Sequence, residues 1–176
     1  TDIDCGGSCA PCPEPINIAD GGTVTTCNNE FSDSGGIDGD YQNNENNTIT
    51  ICSDNPDPNL CLTVNFLAFN IENGFDNLFI YNGPDDSSPL IGQYSGTNSP
   101  GLITSTEGCL TFKFTSDGSV TRPGWFAEVS CGACPTCFDG IQNGLEQGVD
   151  CGGPDCALCP EPFNIADEGT INTCGG

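Results

Sequence analysis

Between residues 28 and 131 the hydrophobic side chains recur in short alternating or β-branched runs: TITIC at 48–52, CLTVNFLAF at 61–69, NLFIYNG at 77–83, LITST at 102–106, CLTFKFTS at 109–116 and WFAEVSC at 125–131. A period of two sends alternate side chains to opposite faces of an extended chain, so each run is read as a strand with one buried face. Breakers such as DNPDPN, NGPDDSSP and SDGS separate the runs. Many short strands at regular spacing, with no helical periodicity between them, predict an all-β antiparallel sandwich.

The pattern then repeats. CAPCPEPINIADGGTVTTC, from Cys9 to Cys27, returns as CALCPEPFNIADEGTINTC, from Cys156 to Cys174, with 14 of 19 positions identical and a spacing of 147 residues. IDCGG at 3–7 likewise returns as VDCGG at 149–153. The chain is therefore read as one unit of a tandem array plus overlap. Residues 1–22 end a preceding Cys-rich linker, 23–133 form the sandwich, 134–167 form a Cys-rich knob, and 168–176 open the next strand set. The PEPxNIAD segments, 13–20 and 160–167, are read as proline-stiffened connectors.

Charge narrows the function. The 176 residues carry 25 Asp and Glu against Lys113 and Arg122, a net charge of −23. Such a surface repels phosphate backbones and anionic membranes, so neither nucleic acid nor direct membrane insertion is expected. With no histidine, imidazole bases, Ser-His and Cys-His pairs and the HExxH zinc site are all missing, and no enzyme activity is expected. Fourteen cysteines argue for an oxidising, extracellular compartment, with any secretion signal upstream of this stretch. The soluble partner suited to so many carboxylates is a hard divalent cation, calcium above all.

Taken in order, NEFSDSGG, DGDYQNN, LTVNFLAFNIE, FDNLFIYNG, LTFKFTSDGS and GWFAEVSC resemble a CUB domain across residues 27–131. The resemblance is nearest to CUB-like modules of large bacterial surface proteins of the Bacteroidetes type. It implies a CUB-like β-sandwich and, at the positions of the family's calcium ligands, Glu72, Asp76 and Asp117, with Tyr41 and backbone carbonyls available to complete the shell. The sequence departs from the family at one cysteine pair, whose places are held near Gly74 and Ser95.

Each period holds ten cysteines: Cys27, Cys52, Cys61, Cys109, Cys131, Cys134, Cys137, Cys151, Cys156 and Cys159. CxxC at 134–137 and at 156–159, 18 residues apart, has zinc-ribbon spacing, but the extra Cys151, the even set and the oxidising context favour disulfides. Cys52 and Cys61, ending one strand and starting the next, are expected to staple their loop. CUB topology would gather Cys27, Cys109, Cys131 and Cys134 at the opposite end, with their pairing open. In the knob, Asp139, Asn143, Glu146 and Asp150 recur around turn glycines, a second candidate calcium loop. Trp125 is assigned to the core or a junction, and Tyr81 and Tyr94 to packing or the rim. Asn46 begins an N-glycosylation sequon that is read as chance.

These features lead to a structural repeat of a long secreted filament or adhesin stalk, stabilised by calcium and disulfides, whose partners are neighbouring repeats. A surface polysaccharide or protein ligand is a further possible partner. The alternatives are a calcium-dependent protein- or carbohydrate-binding CUB module and an accessory domain of a secreted enzyme.

Overall fold

The computed structural model describes residues 14–57, 60–134, Cys151 and Cys159. Ten strands run in order: β1 (Ile16–Asn17), β2 (Gly22–Thr25), β3 (Asn28–Ser32), β4 (Asn46–Cys52), β5 (Leu60–Asn70), β6 (Asn77–Asn82), β7 (Leu90–Tyr94), β8 (Leu102–Thr104), β9 (Cys109–Thr115) and β10 (Gly124–Ala133). They form two five-stranded sheets, ordered β1-β3-β10-β5-β8 and β2-β4-β9-β6-β7. The all-β sandwich read from the sequence is therefore present. Its pairings are antiparallel except for β1 with β3 and β2 with β4, which run parallel. No helix among the described residues is long and apolar enough to cross a membrane.

Period-two burial builds the core. On β9, Leu110, Phe112 and Phe114 face inward, and on β4, Ile49 and Ile51 do the same. Phe31 packs on Phe112 with ring centroids 4.9 Å apart, and Trp125 stands edge-on to Phe114 at 5.2 Å, which places Trp125 in the core. The apolar run in β5 is too long for one register. Opposite it, Phe126 pairs with Ala68 and Ala127 with Phe66, so Leu67 is skipped and exposed, and Phe69 and Ile71 turn inward.

The segment read as a connector contributes to the sandwich. Ile16 and Ile18 are buried in the core, and Asn17 caps the short 3-10 turn Ile18–Asp20 by accepting the Ala19 N–H. Proline stiffness gave no sign of this, although the two isoleucines at i and i+2 did.

The disulfides correct the expected layout. Cys52 is joined to Cys109 and Cys61 to Cys134, so the loop staple between Cys52 and Cys61 does not form; Cys27 is joined to Cys131. The reason is register: Cys52 lies directly opposite Cys109 across β4 and β9, with their Cα atoms 4.1 Å apart, whereas Cys61 lies at the start of β5 in the other sheet. All three bridges share one end of the sandwich. The Ser53 hydroxyl lies 3.3 Å from the sulfurs of both Cys27 and Cys131. In the knob, Cys151 is joined to Cys159. Cys137 and Cys156 lie outside the described residues, as do Asp139, Asn143, Glu146 and Asp150.

Candidate metal centre

At the end away from the bridges, three loops converge: the β3–β4 loop, the tight β5–β6 turn and the β9–β10 loop. They bring Glu72, Asp76 and Asp117 together, with one carboxylate oxygen from each lying within 4.8 Å of the others. The turn is fixed by its own backbone, since the Asp76 N–H donates to the Glu72 carbonyl at 3.2 Å. The Ser95 hydroxyl lies 2.8 Å from the Asp76 carbonyl and 3.1 Å from that of Glu72, and it accepts the Gly74 N–H at 2.8 Å. Gly74 and Ser95, expected where related domains place a cysteine pair, are thus joined by a hydrogen bond.

Asp76 is fully buried. One of its oxygens accepts the Asp117 N–H at 2.9 Å and the other accepts the Tyr41 hydroxyl, which in turn accepts the Glu72 N–H at 2.9 Å. Tyr41 reaches this point from below: its ring is buried edge-on against Phe114, so the core itself aims the hydroxyl. Burial, and next the bond to Asp76, hold the phenol well above its ordinary pKa, so it stays a donor. Asp117 is held in turn by the Ser119 N–H at 2.8 Å.

Glu72 differs from its neighbours. Its Oε2 is buried and has no hydrogen-bond partner among the described residues. Burial raises its pKa, and Asp117 and Asp76 add to the rise, with Arg122 opposing. An orphaned carboxylate oxygen facing two further carboxylates is satisfied by a cation better than by any group present. The donor set is all oxygen, as a hard divalent ion requires, so the residues fit calcium.

Two further acids at this end went unremarked in the sequence, and both are already satisfied. Asp33 is fully buried and accepts the N–H groups of Gly35 and Trp125, each at 2.8 Å, and its carboxyl is pushed up to about 6 chiefly by burial. Glu45 accepts the Gln42 N–H at 2.6 Å and the Asn47 amide at 2.7 Å, and it also accepts the Ser34 hydroxyl. The signal that could have found Asp33 is the DSGG string, an acid poised to accept from the turn that follows it. Val120, three residues after Asp117, holds a left-handed φ of 63°, a conformation that costs a β-branched residue free energy and that concentrates near functional loops.

Beside the trio lies an open cleft of about 540 Å³, lined by Asn70, Asn73, Ser95, Thr97, Asn98 and Arg122 among others. The Arg122 side chain is exposed and makes no ion pair; among the described residues the ion pair formed is Lys113 with Asp86, at 2.8 Å.

A family model described as CUB domain matches residues 21–129. The exoskeleton protein RP43 of Riftia pachyptila is 33% identical over 98 residues, covering 52% of this chain and 22% of that protein. Tolloid-like protein 1 of Mus musculus is 40% identical over 114 residues, covering 62% of this chain and 9% of that one. The chain thus spans under a quarter of the length of either relative. Among solved structures, the MASP-1 CUB2 domain bound to Ca2+ superposes with a TM-score of 0.52 at 22% identity, covering 62% of this chain and 97% of that one, which is a likeness of fold.

Proposed function

Because the chain belongs to the CUB domain family, we propose that it is the structural repeat of an extracellular surface filament or stalk, with one calcium ion held by Glu72, Asp76 and Asp117. The observation that carries this reading is the match between repeat and fold. The sequence restates its Cys-rich connector after 147 residues, and most of that period is taken up by one disulfide-closed sandwich. Units joined by identical contacts that do not close by rotation generate an open fibre, of the kind expected for surface proteins of the Bacteroidetes type. The net charge of −23 keeps neighbouring fibres apart, and the ion offsets the carboxylate crowding at one end of each unit. On the sequence alone, the oxygen-bearing side chains of Asp139, Asn143, Glu146 and Asp150 in the knob are assigned to a second calcium loop. The bridges require an oxidising compartment outside the cytosol.

The test is solution scattering from two, three and four consecutive repeats in saturating calcium. The maximum dimension is expected to grow nearly in proportion to repeat number. Growth near the square root of repeat number would overturn the stalk reading.

A second reading, a binding module, is favoured by the cleft beside the trio. The side chains of Asn70, Asn73, Thr97, Asn98 and Arg122 spend no hydrogen bonds within the described fold, and they line one polar, solvent-open surface. Such a surface suits a hydroxyl-rich glycan or a polar segment of a protein.

A further inference from the structure

The bridges lie on the route the chain takes through the domain. Coming from the N-terminal side, the chain passes β1 and β2 and reaches Cys27, which is bonded to Cys131 near the end of β10. That bridge spans 104 residues of sequence, yet its Cα atoms are 4.9 Å apart. Three residues later Cys134 is bonded to Cys61, and deeper in the fold Cys52 is bonded to Cys109.

From this connectivity we infer a further function: the Cys27–Cys131 bridge is a tension shunt. Force along the chain crosses the sulfur–sulfur bond, and the sandwich between Cys27 and Cys131 hangs beside the load path as a closed loop. Unfolding that loop adds no length. β1, β2 and the last residues of β10 remain in series with the load, and β1 and β2 are edge strands. Counted from Ile16 to Cys134 across the bridge, they release about 14 residues, roughly 5 nm at ~3.6 Å per extended residue.

The other two bridges are reserves. With Cys27–Cys131 open, the taut path runs from Ile16 to Cys61 and crosses to Cys134, about 45 residues or ~16 nm. With Cys61–Cys134 open as well, the path crosses at Cys52–Cys109 and lengthens to about 61 residues or ~22 nm. With none, the roughly 118 residues from Ile16 to Cys134 give ~42 nm. The bridge that carries the load is also guarded, since both cysteines are half-buried and the Ser53 hydroxyl lies against both sulfurs.

The use of the shunt in the cell rests on the stalk reading, but the shunt itself does not. The experiment is single-molecule force clamping of the oxidised full chain, held by its two ends, before and after addition of a soluble thiol reductant. Before reductant, release from the sandwich is expected to stay at about 5 nm. After it, bond cleavage should add steps of about 11, 6 and 20 nm, or their sums where two bridges open together. A release above ~15 nm without reductant overturns the proposal. The Cys27→Ser/Cys131→Ser double variant should lengthen by about 11 nm with no reductant present, and an unchanged length would also overturn it. Since the wild-type chain alone gives the stepwise readout, a variant that fails to fold leaves the test intact. Scattering that refuted the stalk would leave these step sizes unchanged, so the two failures are distinguishable.

Discussion

Tyr41→Phe removes one oxygen atom from the fold and probes the whole acid end. The Tyr41 hydroxyl donates to buried Asp76 and accepts the Glu72 N–H, so its loss leaves one carboxylate oxygen and one amide without their partner. The ring stays against Phe114, and no cavity of consequence opens. A hydrogen bond to a charged acceptor contributes about 1.5–3 kcal/mol and the stranded N–H about 1 more, so the expected cost in chelator is about 3 kcal/mol. For a sandwich of this size that lowers Tm by about 12 °C. Calcium changes the outcome, because a cation beside Asp76 supplies the positive charge that the lost donor no longer provides. In saturating calcium the deficit should therefore shrink by about half. Thermal melts of wild type and variant, each in chelator and in calcium, give all four values. A variant within about 2 °C of wild type in chelator would refute the hydrogen-bonded network. An equal deficit in both conditions would show that the ion does not sit beside Asp76.

Four other outcomes are expected. Chelation should lower the wild-type Tm, with the calcium increment growing logarithmically in free ion, and Asp76→Asn should lose that increment in calorimetry. Asp33 sets a pH dependence of definite sign: its folded pKa of about 6 is raised above the ordinary 3.8, so its contribution is present in full below about pH 4 and lost as pH rises to about 6. Denaturant titrations should accordingly show wild type losing about 2–3 kcal/mol relative to Asp33→Asn between pH 4 and 6, and parallel curves would sink the assignment. Gly124→Ala should cost more than about 3 kcal/mol, because Gly124 holds φ 67° and a Cβ there would overlap the Asp33 carboxylate. Gly101→Ala, at φ 69° with open space around it, should cost only about 1–2 kcal/mol in the same unfolding assay.

The strands with strong alternation were legible from the sequence because burial on one face writes itself into the side-chain period. TITIC and CLTFKFTS became β4 and β9 within two residues at either end. β1 and β7 were not legible, being short edge strands whose pairing is decided by their neighbours. That Glu72, Asp76 and Asp117 come together was legible because the resemblance marks them together, and the turn that assembles two of them is local in sequence. The disulfide partners were not found, since nearness along the chain favoured Cys61 for Cys52 where the register supplied Cys109. Asp33 escaped because its partner, Trp125, lies 92 residues away.

The Gly74–Ser95 hydrogen bond has a consequence for chemical control. With a hydroxyl doing the fastening, no bond among the described residues at the acid end can be cleaved by a thiol, while the three bridges at the other end include no residue of the trio. The two poles of the domain thus answer to separate reagents. A thiol reductant is expected to loosen one pole, and a chelator, if the trio holds calcium as proposed, is expected to loosen only the other. Neither insult alone would disarm both, and that independence vanishes if Ser95 is replaced by a cysteine with a partner at position 74.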